Sequence, residues 1–464
     1  MNRFIGDRAF YKRVLTIAIP IIIQNGITNF VSLLDNIMVG QTGTEQMSGV
    51  AIINQLYFVF YLAVFGAVSG AGIFTAQYVG QKNDEGVRYT VRFKLLQAVL
   101  ISAAAAVIFT VFREDLIMLF LHEQGENIDP LMTLFFGGRY LSVMIIGLLP
   151  FAVTQCYAGT LRETGQTMVP MIAGLVAVSV NLILNYILIF GHFGAPAMGV
   201  VGAAVATVIS RFAELFIVVG WTHLNKDRNR FADGLYRGFR IPDTLFWKIL
   251  LRGTPLFLNE LLWSAGMAAL TQCYSVRGLG VVAAFNISGT ILNLFKVSVI
   301  SMGNVVAIMI GQILGSGDMS GIVETDNRLI AFSMFLSTIL ALIQIVLSPV
   351  FPEFYNTSED IKKLASEFIR ISALYLPVEA FLNCAYFTIR SGGRTVITFL
   401  FDSVFLWLVS WPAAFFLTRY TSMDIGVLYA LVLSLDLIKV VIGFMMLKKR
   451  IWIRDLVGEA RASA

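Results

Sequence analysis

Twelve long apolar blocks constrain this chain more than any other feature. They run roughly over residues 14–39, 50–79, 95–121, 131–160, 168–191, 199–222, 253–275, 281–314, 329–350, 370–389, 396–417 and 425–447. The hydrocarbon core of a bilayer is about 30 Å thick and takes about 20 helical residues to cross. No water reaches backbone N–H and C=O groups there, so such segments fold as helices that close their own hydrogen bonds. The composition agrees. The 464 residues are 57% hydrophobic and only 14% charged, too little charge to cover a soluble protein. The expected fold class is an all-α integral membrane protein with twelve transmembrane helices.

The chain also repeats itself. Residues 160–167 read TLRETGQT and residues 388–395 read TIRSGGRT. Thr160, Arg162, Gly165 and Thr167 thus return as Thr388, Arg390, Gly393 and Thr395, and Cys156 and Cys384 keep the same spacing. Pro20 and Pro255, Gln77 and Gln312, and Gly80 and Gly315 share a second, nearly equal spacing. Six spans fall in each half. An even number makes both halves enter the membrane in the same sense, so the repeat is parallel and the two six-helix lobes are related by a pseudo-twofold axis near the membrane normal. The expected division is an N-lobe over 1–222, a cytoplasmic linker over 223–252 and a C-lobe over 253–464. The linker is the densest run of charge, HLNKDRNRFADGLYRGFRIPDTLFWK. Its end reads as an amphipathic surface helix with Pro242 and Asp243 near its start.

Charge placement sets the orientation. Most of the 34 Lys and Arg residues lie beside the termini, the linker and the loops on that same side, which predicts that both termini are cytoplasmic. The outer loops 113–130 and 351–369 are rich in Asp and Glu. The net charge of +5 therefore reflects topology, and no clustered basic domain for nucleic acid is present. There is no GxxxxGK[ST] loop and no soluble domain of useful size, which argues against an ATP-driven motor or a tethered enzyme. Cys156, Cys273 and Cys384 sit inside apolar spans and read as buried free thiols. His122, His192 and His223 fall at loops or span ends, which argues against a histidine metal site or proton relay.

Ionisable groups at bilayer depth are costly and mark function. Asp35 lies fifteen residues after Pro20 in the first span. A proline removes a backbone hydrogen bond and permits a bend, so an acid on that helix can couple ion binding to its shape. Asn181 and Asn185, four apart in the fifth span, share one helix face. With Asp35 they offer an oxygen-rich pocket for a proton or Na+. Glu260 follows Pro255 in the seventh span and Glu379 follows Pro377 in the tenth. Both are expected to face a central cavity, where a free carboxylate attracts a cationic ligand. Lys296 in the eighth span can neutralise one of them and leave the other free. Arg211 with Glu214, and Asp436 with Lys439, are three apart and read as self-neutralising pairs. Asp402, early in the eleventh span, reads as a group that reaches water.

With these residues in place, the chain resembles the multidrug and toxic compound extrusion (MATE) family over about residues 10–450. The resemblance is carried by Pro20 with Asp35-Asn36-x-x-Val39-Gly40, by Gln77-Tyr78-Val79-Gly80, and by Gly159-Thr160-Leu161-Arg162-x-x-Gly165. It also rests on Asn181 with the Asn185–Gly191 run, and on Gly199-x-x-Gly202-Ala203-Ala204-x-Ala206-Thr207. It implies two lobes that open alternately to either side, and export of organic cations in exchange for H+ or Na+, with no other cofactor. It implies that Asp35 is the first-span carboxylate, that Asn181 and Asn185 are its fifth-span partners, and that Glu379 is the tenth-span acid. Archaeal and DinF-type members carry Asp where this chain has Asn185, so the resemblance leans to the NorM branch. The seventh-span glutamate of that branch lies farther from its proline, which places Glu260 about one turn from the family position. Lys296 is an addition. Expected surroundings are the inner (plasma) membrane and its lipid, with the chain working as a monomer. The alternative reading is a lipid-linked oligosaccharide flippase of the MurJ or polysaccharide-exporter type. Asp35, Glu260 and Glu379 set against Lys296 favour cationic cargo over an anionic headgroup.

Overall fold

The computed structural model describes residues 4–121 and 129–458. His122 and much of the acidic 113–130 loop lie outside the described residues. Twelve long helices run in order: α1 Arg8–Gly40, α2 Thr44–Gly80, α3 Asp84–Val111, α4 Pro130–Glu163, α5 Met168–Phe190 and α6 Val200–Leu224, then α7 Asp243–Ser275, α8 Leu279–Ser316, α9 Ile322–Leu347, α10 Glu359–Ser391, α11 Thr395–Tyr420 and α12 Ile425–Lys448. Among the described residues, eleven are long and apolar enough to cross a membrane. The other, α7, carries Asp243, Lys248, Arg252 and Glu260 along its 33 residues. The surface helix expected at the end of the linker is fused into α7. The third apolar block is two helices, because the chain breaks at Phe112 before a short helix Arg113–Leu121. The most exposed large side chains on the spans include Leu100, Val107, Phe216, Val346 and Leu408, as expected where the solvent is lipid.

The helices pack into two units. One takes residues up to Ile22, Ala76–Lys82 and the chain from Lys248 onward; the other takes Ile23–Thr75 and Asn83–Trp247. This differs from the 1–222, 223–252 and 253–464 division in two ways. Residues 223–247 fold as part of the N-terminal unit, and the first turns of α1 and the last turn of α2 belong to the C-terminal unit. The division of α1 falls two residues after Pro20.

In the N-terminal unit, α5 packs along α6, and α4 packs between α3 and α6. Leu141, Leu148, Tyr157, Leu161 and Ala204 form a fully buried seam. The linker joins this unit because Arg92 of α3 is buried among its carbonyls. It donates to Gly234 at 2.8 Å, Leu235 at 2.9 Å and Arg240 at 3.0 Å. A guanidinium presents five N–H donors in a fixed fork, and several fixed carbonyls can satisfy them. Lys94, one helical turn of α3 away from Thr90, is also fully buried. Its ammonium bonds Glu163 at 2.5 Å and Thr160 Oγ1 at 3.2 Å.

In the C-terminal unit, α10 packs against both α8 and α9. Met302, Val306, Leu329, Phe381 and Cys384 form one core with Val14, Ile17 and Ile21 of α1. The repeat explains a close contact here. Gly80 lies on the carbonyl of Gln312, and Gly315 lies on the carbonyl of Gln77. The two copies of Gln-x-x-Gly meet with no room for a Cβ on either side. The side chain of Gln77 then ties down the chain after α12. Its Nε2 donates to Ser391 O at 3.0 Å and Arg454 O at 3.3 Å, and its Oε1 accepts from Leu456 N at 2.8 Å. Trp452 and Leu456 are buried there.

The glycine contact yields a stability test. Gly80→Ala forces a methyl group onto the Gln312 backbone, and overpacking of this kind costs about 1–3 kcal/mol. Gly220→Ala on α6 meets open space and gains up to about 1 kcal/mol of helix propensity. Thermal unfolding of the two variants in detergent should therefore move in opposite directions.

Candidate functional site

Asp35 of α1 is half-buried and faces α5. Asn185 Nδ2 donates to its Oδ1 at 2.7 Å. With its amide nitrogen turned to Asp35, Asn181 lies 3.0 Å from both carboxylate oxygens, and its own oxygen accepts from Thr207 Oγ1 of α6 at 3.2 Å. Three of these residues were legible in the sequence, and the structure brings all three together. The shared face of Asn181 and Asn185 follows from their spacing of one turn. Thr207 was not named as a site residue, although it ends the Gly199–Thr207 run. Its role depends on how α6 packs on α5, which helical period does not give. Asn185 Oδ1 is buried without a partner, so one strong acceptor beside the carboxylate remains open.

Arg211 of α6 completes the electrostatics of this site. Asp35 lies within reach of its charge, but no ion pair joins them. Arg211 Nη1 is instead 3.6 Å from Glu214, the pair expected from their spacing. Tyr57, Tyr61 and Tyr140 crowd the same cluster. Residues with the chemistry for a resident multivalent metal do not converge anywhere among the described residues. His192 stacks on Tyr186 at 4.2 Å and His223 bonds the Tyr157 hydroxyl at 2.9 Å. The three cysteines are buried free thiols.

In the C-terminal unit the acids are distributed differently from one another. Glu379 of α10 pairs with Lys296 of α8 at 2.9 Å, so Lys296 neutralises Glu379. Glu260 of α7 has no ion pair among the described residues; Arg390 and Asp402 are the charged groups that act on it. Asp402 does not stand in water as its position suggested. It accepts from Asn259 Nδ2 at 3.0 Å and lies 3.6 Å from Lys439, which also reaches Asp436 at 3.7 Å. Two strong sequence signals were missed. Asn259, beside Glu260, is buried and accepts from Ser403 Oγ at 2.7 Å. Asp326 of α9 is buried with a single hydrogen bond, from Thr388 Oγ1 at 2.6 Å. Thr388 repeats Thr160, so the two halves place the same hydroxyl on opposite charges, Asp326 in one and Lys94 in the other.

The MatE family model matches residues 20–187 and 255–416. The chain belongs to the MatE family of transporters. The two matched segments mirror the internal repeat. Among curated proteins, it is 25% identical over 413 residues to a probable multidrug resistance protein NorM of Thermotoga maritima, covering 88% of this chain and 86% of that one. It is 24% identical over 408 residues to the probable multidrug resistance protein YoeA of Bacillus subtilis, covering 88% and 87%. Its fold is similar to the outward-facing conformation of a multidrug resistance MATE family transporter of the MOP superfamily, with TM-score 0.83, 19% identity and 97% of each chain covered.

The Lys296–Glu379 assignment can be tested by charge reversal. Lys296→Met and Glu379→Gln should each lower thermal stability, because each leaves a charge at bilayer depth unanswered. Lys296→Glu combined with Glu379→Lys should recover most of the loss. Additive damage in the double variant would show that the two residues are not partners.

Proposed function

We propose that this protein is a secondary multidrug antiporter that exports organic cations in exchange for protons. The observation that carries the reading is the Asp35 carboxylate, held by two amides on a proline-containing transmembrane helix. Relatives named as multidrug resistance proteins support drug-like cargo, and the free acid Glu260 supports a cationic one. Asp35 is the proton acceptor, and Asn181, Asn185 and Thr207 position it. The amide N–H groups occupy lone pairs that Na+ would need, since hard cations are held by several oxygens at once. A proton needs only one carboxylate oxygen. This favours H+ over Na+, although Asn185 Oδ1 and Thr207 Oγ1 are the oxygens a Na+ ion would add to Asp35.

Protonation removes the negative charge that the amide donors answer. Asp35 lies fifteen residues from Pro20, about 22 Å along the helix axis. Pro20 leaves a gap in the backbone ladder at which α1 can bend. Pro20 is therefore the hinge through which the state of Asp35 reaches the first turns of α1. Cargo enters from one side and leaves from the other by alternating access. Glu260 is the free carboxylate for a cation in the C-terminal unit, and Glu379 with Lys296 forms its neutral wall. The protein works as a monomer in the inner membrane with both termini in the cytoplasm.

Reconstitution into liposomes tests this. A fluorescent organic cation should move against an imposed proton gradient and not respond to a Na+ gradient of equal size. Asp35→Asn should lower gradient-driven transport by at least about tenfold, because it removes the group that changes charge. Transport driven by Na+ alone would assign the site to Na+. No response to either gradient, with flipping of a lipid-linked oligosaccharide in the same vesicles, would establish the flippase reading instead.

A further inference from the structure

Arg211 does more in the N-terminal unit than neutralise Glu214. Its guanidinium lies 4.9 Å from the ring centroid of Phe151 on α4 and 5.8 Å from that of Tyr61 on α2. The two rings are 4.5 Å apart, and Tyr57 and Phe60 extend the aromatic wall. Ring faces are electron-rich and hold cations, ammonium and guanidinium groups among them. The cation held here is the protein's own.

Arg211 is not tightly fixed by its polar partners. The Glu214 contact is 3.6 Å and the Tyr61 hydroxyl contact is 3.5 Å, both longer than the paired short bonds of a strong guanidinium–carboxylate fork. The Tyr57 hydroxyl, beside Tyr61, is buried with no partner. Asp35 attracts Arg211 from α1 without bonding it. The guanidinium rests on the aromatic rings, and the carboxylate acts on it through charge alone.

We propose that Arg211 is a tethered cation that competes with the cargo for the Tyr61–Phe151 rings, and that Asp35 decides which of the two holds them. The proposal rests on the proton-antiport reading and supplies its exchange step. When Asp35 is ionised, Arg211 is drawn to it and the rings accept an organic cation with a flat or aromatic face. When a proton binds Asp35, that attraction ends. Arg211 returns to the rings and the cargo is displaced. Before exchange the carboxylate, the guanidinium and a monovalent cargo sum to one positive charge. After exchange the neutral acid and the guanidinium sum to the same. One proton replaces one cargo cation, and the step moves no net charge.

Other polar and charged groups also face this pair. Glu214 is shared between Arg211 and Arg162. Tyr57 and Tyr61 on α2 and Tyr140 on α4 bring phenol hydroxyls to the same cluster, and α5 brings the amides of Asn181 and Asn185. In the proposed exchange, Asp35 is the group whose titration moves Arg211.

The test is binding of tetraphenylphosphonium to the purified full-length protein in nanodiscs, by calorimetry, at mildly alkaline and at acidic pH. Binding needs no gradient, so it reads the rings even if the antiport reading fails in liposomes. The natural protein should bind about tenfold more weakly at acidic pH, the size of a single cation–ring interaction. Asp35→Asn should bind weakly at both pH values, because Arg211 then stays on the rings. The decisive variant is Asp35→Asn combined with Arg211→Gln, which should recover binding at both. A double variant as weak as Asp35→Asn alone would overturn the proposal and show that Asp35 attracts the cargo directly. Should that protein not fold, adding Glu214→Gln removes the unanswered acid and the same two outcomes decide. Arg211→Lys keeps a tethered charge and should retain the loss of binding on acidification; its disappearance would count against competition.

Discussion

Lys94, Lys296 and Lys439, on membrane-spanning helices, are answered by acids on neighbouring helices, and those pairings govern which helix faces meet. Water is absent from the hydrocarbon, and an unpaired ion is expensive enough to be rare. Lys94 is answered by Glu163 between α3 and α4. Lys296 is answered by Glu379 between α8 and α10. Lys439 bridges Asp402 and Asp436 between α11 and α12. Removing one member of a buried pair costs about 3–5 kcal/mol in other proteins. These pairs specify which helix faces meet, as much as they add stability. The same rule extends to the linker, where three carbonyls answer Arg92.

Against that pattern the acids without an ion pair stand out. Asp35 is answered by neutral amides, Asp326 by one hydroxyl, and Glu260 by no direct ion pair among the described residues. Amide donors hold a carboxylate in place and add no charge of their own. An ammonium at the same place would commit it to the ionised form. Arg211 comes near Asp35 yet rests on Phe151 and Tyr61. In the proposed exchange, this position leaves the carboxylate free to change state and gives that change somewhere to act. Pro20 gives it a second outlet along α1, and the division of α1 just after this proline marks where the helix passes from one packed unit to the other.

The internal repeat has two kinds of consequence. Where backbones touch, it is kept: Gln77 with Gly80 and Gln312 with Gly315 pack on each other because both copies lack a side chain at the same place. Where side chains carry charge, it has diverged. Thr160 meets Lys94, and Thr388 meets Asp326. Glu163, which neutralises Lys94, is replaced by Ser391 in the second copy. The two halves share a frame and differ in electrostatics.

The sequence by itself determined the number of spans, the parallel repeat, the family, and the groups that share one helix face. Apolar length and helical period are local properties, and they place Asn181 with Asn185, Arg211 with Glu214, and Pro20 on the helix of Asp35. Tertiary structure alone decided the partners across helices. It chose Glu379 over Glu260 for Lys296, moved Asp402 from water to Asn259 and Lys439, and buried Lys94 against Glu163. It also set Thr207 against Asn181 and Arg211 against two aromatic rings. These depend on the rotation of each helix about its axis and on its depth beside its neighbours. Both are set by the packing of whole surfaces, to which residues far apart in the chain contribute together.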